Sequence, residues 1–502
     1  MEKRTLFAIV LAMLILLAWS AFMSKTTPPS SPLPYKQQFK AEAIVAKPEA
    51  KTSEKPAPSL FTFNQGQYDV ILIESEAAIK EVIFKNYQSY RFPLQYGFSL
   101  NEQGLIFRKT GASADSLTFT ASDAYKKIIK RFIFHNTNYT IDLDIKTLNT
   151  SNQRLPLNTP LVLGVLNFSG DQTKARFQDV TVAQIGKISH PNAHKNADFG
   201  NLQFLGIRDR YFCSIIEPPD NTYSAFVKKI TPQESEFGLN MPDIVLVPGQ
   251  QIEQKFRIYL GPQELSIIKQ ANPQWTAVMY YGMFSFISEM LLQLVEFLYR
   301  FVHNWGLAII ILSILIYFLL YPLSLKQMRS MKEMQALQPK VEQLKKAYKD
   351  NPQKLNKEIM NLYREHKVNP LGGCLPLVLQ IPIFFALYQA LIRSIALKGA
   401  HFLWIKDLSE PDRAFIMPFS IPMLGNEINI LPILMVVVMF IQQKITTTSA
   451  AMGQQEQQKL MLIFMPLLFL FIFYHMPSGL VLYWLVNSLL MLIYQFRISR
   501  LK

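Results

Sequence analysis

The sequence predicts a multi-domain membrane protein, with six α-helical spans joined to a large extracytoplasmic antiparallel β-sandwich. Three observations carry that reading. Apolar runs near the length of a bilayer-crossing helix cluster at 6–23 and beyond residue 307. Between them, from about 60 to 274, the pattern changes to short alternating stretches such as Gln67-Tyr-Asp-Val-Ile-Leu-Ile-Glu74 and Tyr139-Thr-Ile-Asp-Leu-Asp-Ile-Lys146, punctuated by Asn, Gly, Asp and Pro. Every basic cluster close to a predicted span falls on one side of the resulting topology, which that order requires.

Composition sets the frame. Of the 502 residues 50% are hydrophobic, and the formal net charge is +15. The excess charge flanks apolar runs and no RRM-like, KH-like or zinc-finger pattern accompanies it, so it reads as membrane orientation and excludes DNA as a partner. The two cysteines, Cys213 and Cys374, give no disulfide framework and are expected as free thiols in different compartments.

Residues 1–24 form the first span. Its 18-residue apolar stretch is long for a cleaved signal, so it reads as an uncleaved anchor, with Lys3 and Arg4 holding the N-terminus in the cytoplasm. Residues 25–59 carry too many prolines and polar residues to fold and are assigned as a disordered linker. Residues 60–275 are the β domain. The absence of a helical crossover rhythm favours an antiparallel sandwich over a parallel sheet. In 280–302, apolar residues recur every three or four positions, predicting an amphipathic helix in the outer membrane–water interface.

The second span covers 303–325. Residues 326–368 follow as a cytoplasmic helical hairpin, with eleven Lys/Arg against five Asp/Glu between Ser324 and Lys367. Its first arm is expected to kink at Pro339, and Asn351 and Pro352 to start the second arm. Met328 and Met331 offer an adaptable apolar surface, while Lys345, Lys346, Tyr348 and Lys349 belong to the basic arm facing ribosomal RNA or anionic lipid. The third span is 369–397, with a return loop at 398–427. The fourth, fifth and sixth spans are 428–446, 460–475 and 479–497, the last ending in a basic cytoplasmic tail. The apolar runs 307–323, 428–441, 460–474 and 480–496 are short, suggesting a locally thinned bilayer.

Polar residues inside the spans mark the site. Ser313, Tyr317, Gln380, Gln442, Gln443, Tyr483, Trp484, Asn487 and Ser488 are costly in hydrocarbon unless they face each other or a wet cavity. Single interhelical hydrogen bonds explain any one of them. Spread over several spans, they predict a hydrophilic substrate groove inside the bundle. Arg393, near the outer end of the third span, is a candidate groove charge, with snorkelling as its plainer explanation. Pro376, Pro382 and Gly372-Gly373 loosen the third span. No HExxH, P-loop, GxSxG or CxxC is present, so no catalytic residues, metal or cofactor are assigned and an enzyme is not expected.

Seven motifs in order carry a resemblance: Asn304-Trp-Gly306, Tyr321-Pro-Leu323, Leu337-Gln-Pro-Lys340, Asn369-Pro-Leu-Gly-Gly-Cys374, Gln380-Ile-Pro-Ile-Phe384, Leu403-Trp-Ile-Lys-Asp-Leu408 and Pro477-Ser-Gly-Leu-Val-Leu-Tyr483. Together they resemble the YidC family of membrane protein insertases in its long Gram-negative form. The resemblance implies a five-helix insertase core with a groove open to cytoplasm and lipid, a β-supersandwich in the periplasm, and residence in the bacterial inner membrane with both termini cytoplasmic. It implies nascent membrane proteins, the ribosome, the Sec translocon and membrane lipids as partners, and a folding-chaperone role. By position, Ser313, Gln380, Tyr483 and Trp484 would line the groove. One position departs: the family's second-span arginine falls on Tyr317 here, so a fixed positive charge does not transfer. The rival readings are a small-solute transporter, for which repeats and a closed midplane site are not evident, and an enzyme acting through the β domain.

Overall fold

The computed structural model describes residues 59–102, 104–168, 175, 177–348, 351–366, 368, 375–421, 425–448 and 455–500. The first predicted span and the linker lie outside these residues, as do Cys374, Lys349 and the Gly372-Gly373 pair.

The β domain opens with a four-stranded meander, β1 (Leu60–Asn64), β2 (Tyr68–Ile73), β3 (Ala78–Phe84) and β4 (Tyr90–Gly97). There follow β5 (Arg108–Ala112), β6 (Ser116–Ser122), β7 (Lys126–His135), β8 (Thr140–Asn149), β9 (Leu155–Leu157), β10 (Leu161–Asn167), β11 (Asp179–Gln184) and β12 (Lys187–Ser189). The domain continues with β13 (Ala197–Phe199), β14 (Leu202–Arg208), β15 (Phe212–Glu217), β16 (Ser224–Thr231), β17 (Glu234–Asn240), β18 (Ile244–Leu246) and β19 (Gln251–Pro262). Nine strands pair in the order β12-β11-β14-β15-β19-β8-β7-β6-β5, and four in the order β10-β17-β16-β13. The strand pairings are antiparallel, as the sequence predicts.

Alternation sets the faces. In β7, Ile128, Lys130, Phe132 and Phe134 turn inward while Lys127 and Arg131 stay outside, because successive side chains point to opposite faces of a strand. The core they enter is aromatic. Phe84 stacks on Phe212 with ring centroids 4.1 Å apart, and Phe92, Phe119, Tyr259 and Trp275 are fully buried around them. Each such side chain contributes roughly 1.5–3 kcal/mol by burial, and Phe212→Ala would cost about 3–5 kcal/mol. A short helix α1 (Leu265–Ala271) and a 3-10 turn (Pro273–Val278) close the domain, with Trp275 Nε1 donating to Glu217 at 2.9 Å.

The interfacial stretch forms helix α2 (Ser285–Val302), which starts five residues inside the predicted bounds of 280–302. Ser288, Leu291, Leu292 and Val295 make its buried face, while Phe286, Met290, Phe297 and Phe301 point outward. The chain then enters α3 (Trp305–Ala336). The Asn304-Trp-Gly306 motif has a local explanation. Asn304 Oδ1 accepts from Leu307 N at 3.0 Å, and Trp305 stacks on Tyr299 at 4.0 Å. A Cβ on Gly306 would meet the Phe402 ring at 2.1 Å, so only glycine permits that approach.

The first hairpin arm differs from expectation. α3 runs straight from the apolar stretch into the basic one, ends at Ala336, and a separate helix α4 (Gln338–Ala347) begins with Pro339 in its first turn. Proline's missing N–H costs nothing in a first turn, so the chain restarts there instead of kinking. The second arm, α5 (Pro352–Glu365), starts as predicted, with Asn351 Oδ1 accepting from Lys354 N at 3.0 Å. α6 (Leu375–Arg393) contains Pro382 within the helix. A two-stranded hairpin, β20 (Phe415–Ile421) and β21 (Gly425–Ile428), lies in the return loop, to which the sequence reading assigns no strands. α7 (Ile430–Thr448), α8 (Gln455–Phe473) and α9 (Ser478–Arg500) complete the chain.

By length and composition, two helices among the described residues are long and apolar enough to cross a membrane: Trp305–Lys326 and Ser478–Arg497. Ile430–Lys444 and Phe464–Phe473 are shorter apolar segments. The helices holding them extend further into polar sequence. The 19 residues of α7 and of α8 reach about 28 Å at 1.5 Å per residue, close to the ~30 Å hydrocarbon core. A thinned bilayer is therefore not required by helix length.

Candidate functional site

The helices α3, α6, α7 and α9 surround one apolar core of Ala308, Ile309 and Leu312, Ala386 and Leu387, Met435, and Leu480 and Val481. Polar residues enter it at one level. Gln380 on α6 donates from Nε2 to the Tyr483 hydroxyl on α9 at 2.7 Å. One turn further along α9, Asn487 Nδ2 donates to the Tyr483 carbonyl at 3.0 Å. Tyr483 is fully buried, Ser488 nearly so, and Gln380 and Asn487 are half-buried. Trp484 turns into an aromatic group with Phe384, Phe469 and Phe473, at 5.6, 5.8 and 5.3 Å between ring centroids. Gln380, Tyr483, Trp484 and Asn487 thus lie on two facing helices of the bundle.

Ser313 sits on α3 with its side chain fully buried, and its hydroxyl donates to Ile309 O at 2.7 Å within the same helix. That back-bond satisfies the serine without a groove. Tyr317, one turn further, packs edge-on to Phe318 and near Tyr321, which in turn meets Tyr494 of α9 at 5.4 Å. Gln442 and Gln443 lie half-buried toward the end of α7.

Arg393 is a correction to the groove reading. It ends α6 on the side of the β domain. Its guanidinium lies 3.9 Å from Asp179 and 5.4 Å from the centre of the Phe177 ring, and Nε donates to Gln389 at 3.3 Å. Asp179 also binds Arg208 through two hydrogen bonds of 2.7 and 2.6 Å. The charge is held against the β domain and does not join the Gln380–Tyr483 pair. Snorkelling is likewise superseded: the side chain, 12% exposed, faces Asp179 of the β domain.

Beside it lies a contact set that the sequence alone did not reveal. Arg210 donates from Nε to Ile392 O at 2.8 Å and from Nη2 to Ser409 O at 2.7 Å, and it pairs with Glu410. The Tyr211 and Ser409 hydroxyls are 3.0 Å apart. Lys398 stands over the Tyr90 ring at 4.6 Å. The β domain is therefore fastened to the end of α6 and to the loop after it.

In the hairpin, Lys345 and Lys346 occupy the last turn of α4, where the helix dipole favours cations. Partial burial pushes the Lys345 ammonium below its ordinary range. Lys354 stands over the Tyr348 ring at 5.0 Å. The side chains of Met328 and Met331 lie outside the described residues. Cys213 is a buried free thiol, raised by burial.

Comparison with known proteins adds the family. Residues 297–502 match the model of the 60Kd inner membrane protein, and residues 95–294 match that of the YidC periplasmic domain. The Membrane protein insertase YidC of Pelobacter propionicus is 33% identical over 549 aligned residues, covering 100% of this chain and 99% of that protein. The chain belongs to the YidC family. The YidC insertase of Geobacter metallireducens is 30% identical over 100% of this chain and 98% of its own. A crystal structure of an active YidC insertase with its first transmembrane domain resolved shares 20% identity and a TM-score of 0.41, covering 88% of this chain and 95% of that one. Within the YidC frame the β domain is the periplasmic domain and the helical bundle is the inner-membrane part.

Proposed function

We propose that this membrane protein insertase moves nascent apolar helices into the inner membrane along the face of the bundle marked by Gln380, Tyr483, Trp484 and Asn487. Six spans with both termini cytoplasmic place the basic hairpin at the ribosome and the β domain in the periplasm. The single observation that carries the reading is the Gln380–Tyr483 hydrogen bond, set between facing helices in an otherwise apolar core. A polar substrate segment crossing the bilayer loses several kcal/mol on desolvation. Side chains that exchange their mutual hydrogen bond for one to the passing chain lower that barrier. The substrate's own apolar helix then leaves sideways into lipid. No step uses a nucleotide or metal, the chain acts without enzymatic chemistry, and it works alone or beside the Sec translocon.

Ser313 and Tyr483 are buried, so substrate contact there needs the helices to part, whereas Gln380, Trp484 and Tyr317 are reachable without that. Photocrosslinkers at 317, 380 and 484, with a stalled ribosome–nascent chain bearing one apolar span, test the route. Crosslinks from all three are expected. Crosslinks confined to the periplasmic domain would overturn it. A saturable small solute that blocked those crosslinks would favour the transporter instead.

A further inference from the structure

We propose that the hairpin β20–β21 is a lipid-seating element, resting its apolar side chains in the outer headgroup–acyl boundary of the bilayer and fixing the depth of the bundle. This rests on the reading that α3, α7 and α9 cross that bilayer.

The sequence of β20, Phe415-Ile-Met-Pro-Phe-Ser-Ile421, contains no charged residue. Phe415, Ile416 and Phe419 are 62%, 72% and 61% exposed, and the neighbours Phe415 and Ile416 point to opposite faces of the ribbon. Among the described residues, the substantial packing of each strand is on the other. An isolated two-stranded hairpin is marginal in water, and soluble proteins protect such edges with charge. Here charge is confined to the Arg413–Glu427 pair, 3.0 Å apart at the base, and β20 presents bare apolar side chains, so something apolar covers it. Its depth is also bounded, because open strand edges are not tolerated in hydrocarbon. The interface, where headgroups and water reach the backbone, satisfies both conditions.

The mount argues for lipid over a protein partner. Arg413 N donates to Asn429 Oδ1 at 2.9 Å, Asn429 Nδ2 to Tyr474 O at 2.8 Å, and the Tyr474 hydroxyl to Glu427 O at 2.7 Å. Asp412 accepts from Leu431 N at 2.6 Å and from Trp404 Nε1 at 3.3 Å. The base of the hairpin is thereby locked to the adjoining ends of α7 and α8. Only Asn429 separates β21 from α7, whose outward side chains Ile433, Leu434 and Val437 are exposed and apolar. The hairpin continues the surface that this helix shows to lipid. Trp404, partly exposed beside the base, is the residue type that concentrates at this level.

The test uses the full chain in vesicles of phosphatidylethanolamine and phosphatidylglycerol, in a Cys374→Ser background. Phe419→Cys and Ile416→Cys, both exposed on β20, carry an environment-sensitive fluorophore. Phe318→Cys on α3 is the spanning control and Ile230→Cys in the periplasmic domain the water control. Blue-shifted emission at 416 and 419, quenched several-fold more by headgroup-proximal than by tail-end quenchers, is expected. Water-like emission at both positions would overturn the proposal, as would a blue shift without lipid quenching, which would mean protein covers the hairpin. If position 318 is not quenched by deep quenchers, the spanning reading fails first and the hairpin with it. Two variants guard against one misfolding, since both positions are exposed.

Discussion

The periplasmic domain and the helical bundle bury polar groups in opposite ways. In the domain, the buried charges of Arg208 and Asp209 are each held from several sides. Arg208 makes two bonds to Asp179 and a third, at 2.7 Å, to Tyr280 O. Asp209, whose carboxyl burial pushes up, accepts from Tyr211 N, Phe212 N and the Tyr90 hydroxyl, each at 2.8 Å, which pull it back. In the bundle, Gln380 and Tyr483 share one side-chain bond between helices. The first arrangement fixes one conformation, because losing a partner leaves a buried charge uncompensated. The second is satisfied yet easily exchanged, which is what a passing substrate needs.

The comparison breaks most visibly at Arg208. Arg208→Ala should destabilise the domain by about 3 kcal/mol, the low end for a broken buried pair because Asp179 is partly solvated. Chemical denaturation of the full chain, followed through buried Trp275, would show it. A change below about 0.5 kcal/mol, typical of surface sites, would mean the domain's charges are as exchangeable as the bundle's.

Lys130 gives the same contrast a pH signature. It is fully buried, and its amine donates to Ala77 O at 2.7 Å and to Phe98 O. Burial lowers it from 10.5 to about 7, and a neutral amine still has two N–H groups for the two carbonyls. Below about pH 7 the folded domain must hold the charge. Between there and the unfolded value of 10.5 the unfolded chain binds the extra proton, so stability rises with pH. The slope should approach about 1.4 kcal/mol per pH unit, and Lys130→Met should abolish it. A wild-type slope unchanged in Lys130→Met would show that other groups carry it.

Arg210 joins the two regions. Arg210→Ala removes two bonds to main-chain carbonyls, of Ile392 and Ser409, and the pair with Glu410. Insertion should fall several-fold with little change in the melting of either part, because α6 loses its external anchor. Equal insertion by the variant would make the clamp a passive contact.

These elements also show what a sequence yields. The alternation that placed β2 and β8 and the Asn351 cap are local signals, and the structure follows them. Arg393 was misassigned because its partner, Asp179, lies in another domain and leaves no mark near it in the chain. The break at Leu337 was read as a kink, since Pro339 alone does not tell whether a helix bends or restarts. The return-loop hairpin did carry a signal, Gly425 with positive φ after an apolar strand, but its Phe, Met and Pro residues resemble an irregular apolar loop. Of the groove set, the structure joins Gln380 to Tyr483 across helices and leaves Asn487 and Ser313 bonded to carbonyls of their own helices.

Within the bundle the contrast sharpens at Gln380 and Tyr483. Replacing both, Gln380→Leu with Tyr483→Phe, removes donor and acceptor together, so stability should move by less than about 1 kcal/mol. Insertion of substrates with charged translocated tails should drop several-fold, and that of wholly apolar substrates less. Equal loss for both classes would reduce the pair to a structural bond.

The smallest effect belongs to Tyr317, the position onto which the motif resemblance maps an arginine. Its ring already packs against Phe318 and Tyr321, so Tyr317→Phe keeps the packing and removes one hydroxyl. Insertion of a tail-charged substrate should fall by no more than about 1 kcal/mol in the barrier, and Tyr317→Arg should give no gain with acidic tails. A clear gain for acidic tails in Tyr317→Arg would show that a fixed charge still helps in this bundle. A null result in Tyr317→Phe would assign the site's polarity to Gln380 and Asn487 alone.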